Sequence, residues 1–332
     1  MSSSNFYAAE PAPPVLAHTL LPEPIPPCRR SEAQDTGDWN LRKDIESAFD
    51  DSSIFRYGTV IGFSRLNNKI HDDGNELIAQ LTAPKLPRYL LTHHLLKPPS
   101  PSLSTPRAFI IHPATFSPFS PQALLASLLP SLPRNKAIAL LDHVQLLPVF
   151  DFAAALQAIS SVAAALHVSR PKEHEQQDQE GEANATLNPQ RTLLLVAGLD
   201  TLTEGVIRAS NPVRGAAALT AALRTLTHLA RAHAGWVSVM LVNTSGLGSG
   251  SGPGLSGGLG GAVPVQGVGV GGGVYSAFHA ETALLSTLLM RTLDQGVDTH
   301  LLLSTVRMEY VVEVVKDRAG DGVGRWCVWE KM

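Results

Sequence analysis

Two unbroken apolar runs constrain this chain more than anything else in it. Residues 192–196 read Thr-Leu-Leu-Leu-Val, and residues 236–242 read Trp-Val-Ser-Val-Met-Leu-Val. A strand with one wet face alternates apolar and polar side chains. These runs do not, so both of their faces must be covered. Between them Ala197-Gly-Leu-Asp200 leads into a polar turn, and a helical pattern runs over residues 212–233. Strand, turn, helix, strand with doubly buried strands predicts a parallel α/β sheet. A loop over residues 245–274 follows, with about half of the chain's 27 glycines.

The rest of the chain extends this alternation. Strands are predicted over residues 55–63, 76–81 (the weaker pattern), 108–111 and 144–149. Helices are predicted over 39–50, 89–96, 120–129, 151–166 and 278–293, with Asp151 placed to cap its helix. Residues 297–303, 309–315 and 325–330 read as closing strands, the last two as an antiparallel hairpin. The predicted organisation is a disordered Pro/Ser-rich tail over residues 1–38 and a linker with a short helix and strand over 39–75. A core over 76–332 follows, interrupted by a polar insertion at 167–190 and the Gly-rich loop.

Charge and composition narrow the function. A formal net charge of −3 supplies no global attraction to nucleic acid or to an anionic membrane. No apolar run reaches the ~18 residues of a membrane span, and the N-terminus lacks the basic region of a signal peptide. A cytosolic or nuclear protein is expected. Cys28 and Cys327 have no neighbours at metal-ligand spacing and are expected to be free thiols.

Several stretches, in order, carry a family likeness. Phe109-Ile-Ile-His-Pro-Ala-Thr-Phe116 is a strand ending in a Thr-Phe pair, and Leu146-Leu-Pro-Val-Phe-Asp-Phe152 runs from a strand into a helix. Leu193-Leu-Leu-Val196 has the form of a Walker B strand. A long helix from Arg214 leads to a strand ending at Asn243, and closing strands follow Arg291-Thr-Leu-Asp294. Over roughly residues 55–330 this set resembles the ATPase core of the RecA-like strand-exchange recombinases, in particular the eukaryotic recombinase paralogs of homologous recombination. The resemblance implies a RecA-like P-loop NTPase core: a mixed, mostly parallel sheet with helices on both faces and a C-terminal β-hairpin. It also implies nuclear localisation, recombinases and other paralogs as partners, and single-stranded DNA as a ligand.

The chain departs from the family where ATP chemistry would sit. The phosphate-binding motif G-x-x-x-x-G-K-[ST] works through main-chain N–H groups, a Lys and a hydroxyl. Its counterpart here, residues 81–88, is read as a loop with no glycine and two prolines, which donate no N–H. The catalytic carboxylate position falls at Pro113, and the Walker B acid position falls at Ala197. The expectation is a non-catalytic scaffold or accessory factor in double-strand break repair, without a resident cofactor. Two alternatives stand beside it. One is a DNA-dependent ATPase in which Lys85 or Arg88 is the cation that meets the phosphates and Asp200 or Glu204 is the acid that holds Mg²⁺. The other is a RecA-fold adaptor of a non-DNA assembly.

Two stretches correspond to the loops that hold DNA in the family. The first is residues 201–214, with Arg208 and Arg214 as phosphate contacts. The second, the Gly-rich loop, has no Lys, Arg or aromatic; Asn243 precedes it and Tyr275 follows it as a residue able to stack. Single-stranded DNA is therefore expected to bind weakly, or through a partner.

Overall fold

The computed structural model describes residues 39–49, 53–66, 84–97, 107–168, 191–247, 276, 278, 284–285, 287–306 and 309–329. The N-terminal tail, most of the polar insertion, nearly all of the Gly-rich loop, the strand expected at 76–81 and Tyr275 lie outside the described residues.

The element order is α1 (Leu41–Glu46), β1 (Val60–Arg65), α2 (Lys85–Leu96), β2 (Ala108–Pro113), α3 (Pro121–Leu128), α4 (Arg134–Leu141), β3 (Val144–Val149), α5 (Phe152–Val168), β4 (Thr192–Ala197), α6 (Leu199–Ala209), α7 (Pro212–Ala232), β5 (Val237–Val242), α8 (Leu288–Gln295), β6 (Thr299–Val306), β7 (Glu309–Asp317) and β8 (Trp326–Val328). The eight strands form one sheet in the order β3-β2-β4-β5-β1-β6-β7-β8. Pairing is parallel from β3 through β6, and antiparallel between β6, β7 and β8. The expected mixed, mostly parallel sheet with a closing hairpin is present.

The apolar runs do what their lack of alternation requires. Every residue of β4 and of β5 is buried. Leu193, Leu195 and Ala197 enter a core with α1, α2 and α3, while Leu194 and Val196 enter a second core with α5, α6, α7 and α8. Helices thus cover both faces, as period-2 strands between two apolar layers demand.

Four expectations are corrected. The strand expected at residues 55–63 in the linker is β1, and it lies inside the sheet between β5 and β6. The core therefore takes in residues that the sequence assigns to a linker. Residues 201–214, expected as a loop, are α6, a two-residue turn and the start of α7. Leu199, Leu202 and Val206 recur at helical spacing, and Thr203 closes the turn by donating to Leu199 O at 2.6 Å. Residues 85–88, expected in a loop, form the first turn of α2. Finally, the helix expected at residues 278–293 begins at Leu288, where the Thr287 hydroxyl accepts from Met290 N. Among the described residues, no helix is long and apolar enough to cross a membrane.

Topology locates the crest where a ligand would be sought. The chain leaves the carboxyl end of β1 through α2 on one face. It leaves β4 through α6 and α7 on the other. In open α/β sheets ligands bind at the carboxyl ends of strands where the connections diverge in this way.

Candidate functional site

Four strand ends compose that crest: Pro113 on β2, Ala197 on β4, Asn243 just after β5, and Ser64 and Arg65 on β1. On the β2–β4 side it is apolar and closed. Ala197 is buried in the core beneath α2. Gly198 turns the chain with φ +69°, a conformation that favours glycine. A Cβ on Gly198 would meet Pro113 Cγ at 2.6 Å, so the proline ring fills the notch between the two strands. The two positions where the resemblance would put acids hold a methyl group and a pyrrolidine ring instead.

At the start of α2, Pro84 is the N-cap and makes no side-chain cap. Pro84 and Pro87 lack N–H groups, so Lys85 and Leu86 supply the free main-chain donors of this turn, fewer than a helix start normally offers. Leu86 is fully buried. The Arg88 guanidinium is half-buried and donates to Pro118 O at 3.3 Å, and burial pushes its pKa down. Lys85 stands in the first position of the helix.

Asp200 is fully buried in the first turn of α6. Its carboxylate accepts from Thr244 N at 2.8 Å, from Thr244 Oγ1 at 3.2 Å and from Ser245 N at 2.6 Å. One turn later Glu204 accepts from Ser245 Oγ at 3.1 Å and pairs with Arg208 at 3.0 Å. Thr201 and Thr244 are hydrogen-bonded through their hydroxyls. Helix α6 thus grips the chain where it enters the Gly-rich segment. Asp200 does this with a charge whose hydrogen-bonding capacity is directed at main-chain N–H groups.

A second polar network lies beneath the β1–β5–β6 side. Asn243, 4% exposed, donates through Nδ2 to Ser64 Oγ at 2.7 Å. Ser64 Oγ is 2.8 Å from His300 Nε2, and His300 Nδ1 is 3.1 Å from Asp294 Oδ1. Lys316 closes the row, 3.0 Å from Asp294 Oδ2. Burial pushes the Asp294 carboxyl up, but the His300 hydrogen bond and the Lys316 charge outweigh it and hold it below the usual carboxylate range. Burial lowers the Lys316 ammonium, and Asp294 opposes that shift. The order Ser–His–Asp is that of a hydrolase relay, but Ser64 and His300 are interior side chains. What the row does is satisfy polar groups inside an apolar layer.

The structure brings some of the sequence-predicted residues together and separates others. Asp200, in the first turn of α6, and Asn243, just after β5, are each committed to an internal partner. Arg208 is exposed on α6 and paired to Glu204. Arg214 is exposed in the first turn of α7 and has no side-chain partner among the described residues. Lys85 and Arg88 lie across the sheet on the α2 face. The network on Ser64, His300, Asp294 and Lys316 escaped the sequence reading. Its signal was there, since Ser64 follows the apolar start of β1 and His300 adjoins the Leu301–Leu303 run of β6, and a buried polar group needs a partner.

Among the described residues, no group of three or more His, Cys, Asp and Glu side chains is arranged to hold a metal. No protein-family model matches the chain, and no curated protein matches it. Among solved structures, a RadB recombinase aligns with 82% of this chain and 86% of its own, with 12% identity and a TM-score of 0.42.

Proposed function

We propose that this chain is a non-catalytic recombinase paralog, a nuclear scaffold or accessory factor in homologous recombination and double-strand break repair. Its partners are recombinases and other paralogs, and it contacts single-stranded DNA weakly or through them. The recombination half of this reading rests on the ordered resemblance. The stretches that carry it occur in this order in the fold: β2, β3 with α5, β4, α7 with β5, and the closing strands.

One observation carries the non-catalytic half. The nearest acid to the Walker B position, Asp200, is spent on Thr244 and Ser245, while Ala197 and Pro113 stand where acids would be needed. Mg²⁺ takes oxygen ligands with nearly ideal octahedral geometry. The Asp200 carboxylate already accepts three hydrogen bonds from loop donors and has about one of its four acceptor sites left for a metal.

Two measurements test the two halves separately. Nucleotide binding by the full chain, titrated with and without Mg²⁺, is expected to show no saturable signal. Saturable ATP binding that disappears in a Lys85→Ala/Arg88→Ala variant overturns the non-catalytic half. Crosslinked immunoprecipitation is expected to recover recombinases with the chain, and their absence overturns the recombination half. A salt titration of DNA binding is expected to give weak affinity with a shallow slope. Sub-micromolar affinity with about −0.7 per neutralised phosphate for several phosphates shows direct DNA engagement instead.

A further inference from the structure

A groove of about 690 Å³ opens between the β3–α5 corner and α6, with Arg214 of α7 at one end. Its lip at Phe150 is apolar, and that side chain is 86% exposed. Its floor is a stripe of α6, Leu202, Gly205, Val206 and Ala209, spaced to share one helix face, with Leu202 and Val206 half-buried against the core. A Cβ on Gly205 would meet nothing within 4 Å, so this face stands open. Large exposed aromatics beside a concave apolar surface mark places where something binds.

Charge selects the occupant. Glu204 and Arg208 neutralise each other, and the Asp151 carboxylate accepts from Ala154 N at 2.7 Å as the cap of α5. Arg214 remains as a cation without a side-chain partner among the described residues. Helix α5, which runs away from the groove, has no Asp, Glu, Lys or Arg in its 17 residues, although Ala153, Gln157, Ser160 and Ala164 face solvent. A nucleic-acid track needs a series of cations. A groove whose lining carries one capping carboxylate, Asp151, and one arginine, Arg214, amid apolar side chains suits a polypeptide, since protein interfaces are depleted of charge at their centre and use apolar anchors and arginine.

We propose that this groove docks a segment of a protein partner that carries a large apolar anchor and, a few residues away, a carboxylate. The anchor packs against Phe150 and the α6 stripe, and the carboxylate pairs with Arg214. The inference does not depend on the recombination reading, because it uses only the shape and charge of this surface.

The test is selection of a displayed library of random twelve-residue peptides on the full chain. Enriched peptides are expected to share an aromatic or large aliphatic residue near an Asp or Glu. Their affinity is expected to fall at least tenfold in Phe150→Ser and at least threefold in Arg214→Gln, with no change in Arg224→Gln. Phe150 is exposed, so its variant should fold, and an unchanged melting curve confirms that. The proposal is overturned by no enriched peptide, by peptides indifferent to both substitutions, or by a labelled oligothymidylate whose binding is lost in both variants. Concentration-dependent self-association that Phe150→Ser abolishes also overturns it, because the occupant would then be a second copy of this chain.

Discussion

The two halves of the sheet's carboxyl crest differ in how they treat polarity. Over β2 and β4 it is filled with Pro113, Gly198 and Ala197 and offers a ligand little to hold. Over β5 and its neighbours it is crowded with Asp200, Glu204, Thr244, Ser245, Asn243 and Ser64, which bond chiefly to one another. Among the described residues, the first half presents few polar side chains at the strand ends, while the second has many and uses them to hold its own chain. A carboxylate is therefore no evidence of a reaction until its hydrogen bonds have been traced.

Carboxylates at positions 197 and 200 give the sharpest test of that contrast. Asp200→Ala should cost about 3–5 kcal/mol, because it strands two half-buried N–H groups that now meet a carboxylate. Urea unfolding should show it, and proteolysis should show earlier cleavage near residue 245. Ala197→Asp should destabilise by a similar amount, since a lone charge would enter the core beneath α2. A stable Ala197→Asp variant would mean that the closed half is more open to water than its burial implies.

Acid should reveal the next largest effect. His94 is buried on α2, and burial with the nearby Arg107 guanidinium pushes it down to about 3. The Arg107 side chain itself donates to the carbonyls of His94, Leu95 and Lys97 and so closes the end of α2. Because the folded pKa lies below the ordinary 6.5, the unfolded chain binds the proton first as pH falls. Stability should be level above about 6.5 and drop by about 3 kcal/mol by pH 4 from this group. Asp294, held below its ordinary value, adds a further loss only as pH falls through the carboxylate range. Chemical denaturation at several pH values checks the sign, and His94→Phe should remove the slope between pH 6.5 and 4.

A smaller cost is expected at the turn between the two halves. Gly198→Ala introduces a Cβ at φ +69° and into the Pro113 ring, and should destabilise by about 2 kcal/mol. Pairing it with Pro113→Ala should recover the steric part and leave only the backbone part, of about 1 kcal/mol. The smallest effect belongs to the groove, where Phe150→Ser should move the melting temperature by no more than about 0.5 kcal/mol is worth.

The contrast was only partly legible in the sequence. Strands β3, β4 and β5 and helices α5 and α7 announce themselves, because an apolar run or a helical stripe is a local signal. Ala197 and Pro113 were equally legible as missing acids. What a linear reading could not supply was pairing. Nothing local says that β1 neighbours β5 and β6, and that placement moves the strand from the margin to the middle of the sheet. Helix α6 was hidden by Thr201, Thr203 and Gly205, residues with modest helix propensity, and tertiary packing of Leu199, Leu202 and Val206 overrides it. The role of Asp200 depends on a contact across more than forty positions, with Thr244 and Ser245. Tyr275 and most of the Gly-rich loop lie outside the described residues.

The central place of β1 also governs how the chain is made. Val60 pairs with Val239, 179 positions later (239 − 60), and the partner on its other side begins at Thr299. Closing a loop of that length costs about 4–5 kcal/mol of chain entropy before any contact repays it. At a synthesis rate of about 5–20 residues per second, β1 waits roughly 10–35 s for its first neighbour. Through that interval it is an apolar strand with both edges unpaired, the kind of segment that aggregates or recruits a chaperone. Ribosome-bound chains halted before residue 237 should therefore depend on a holdase, and chains halted well after residue 306 should not.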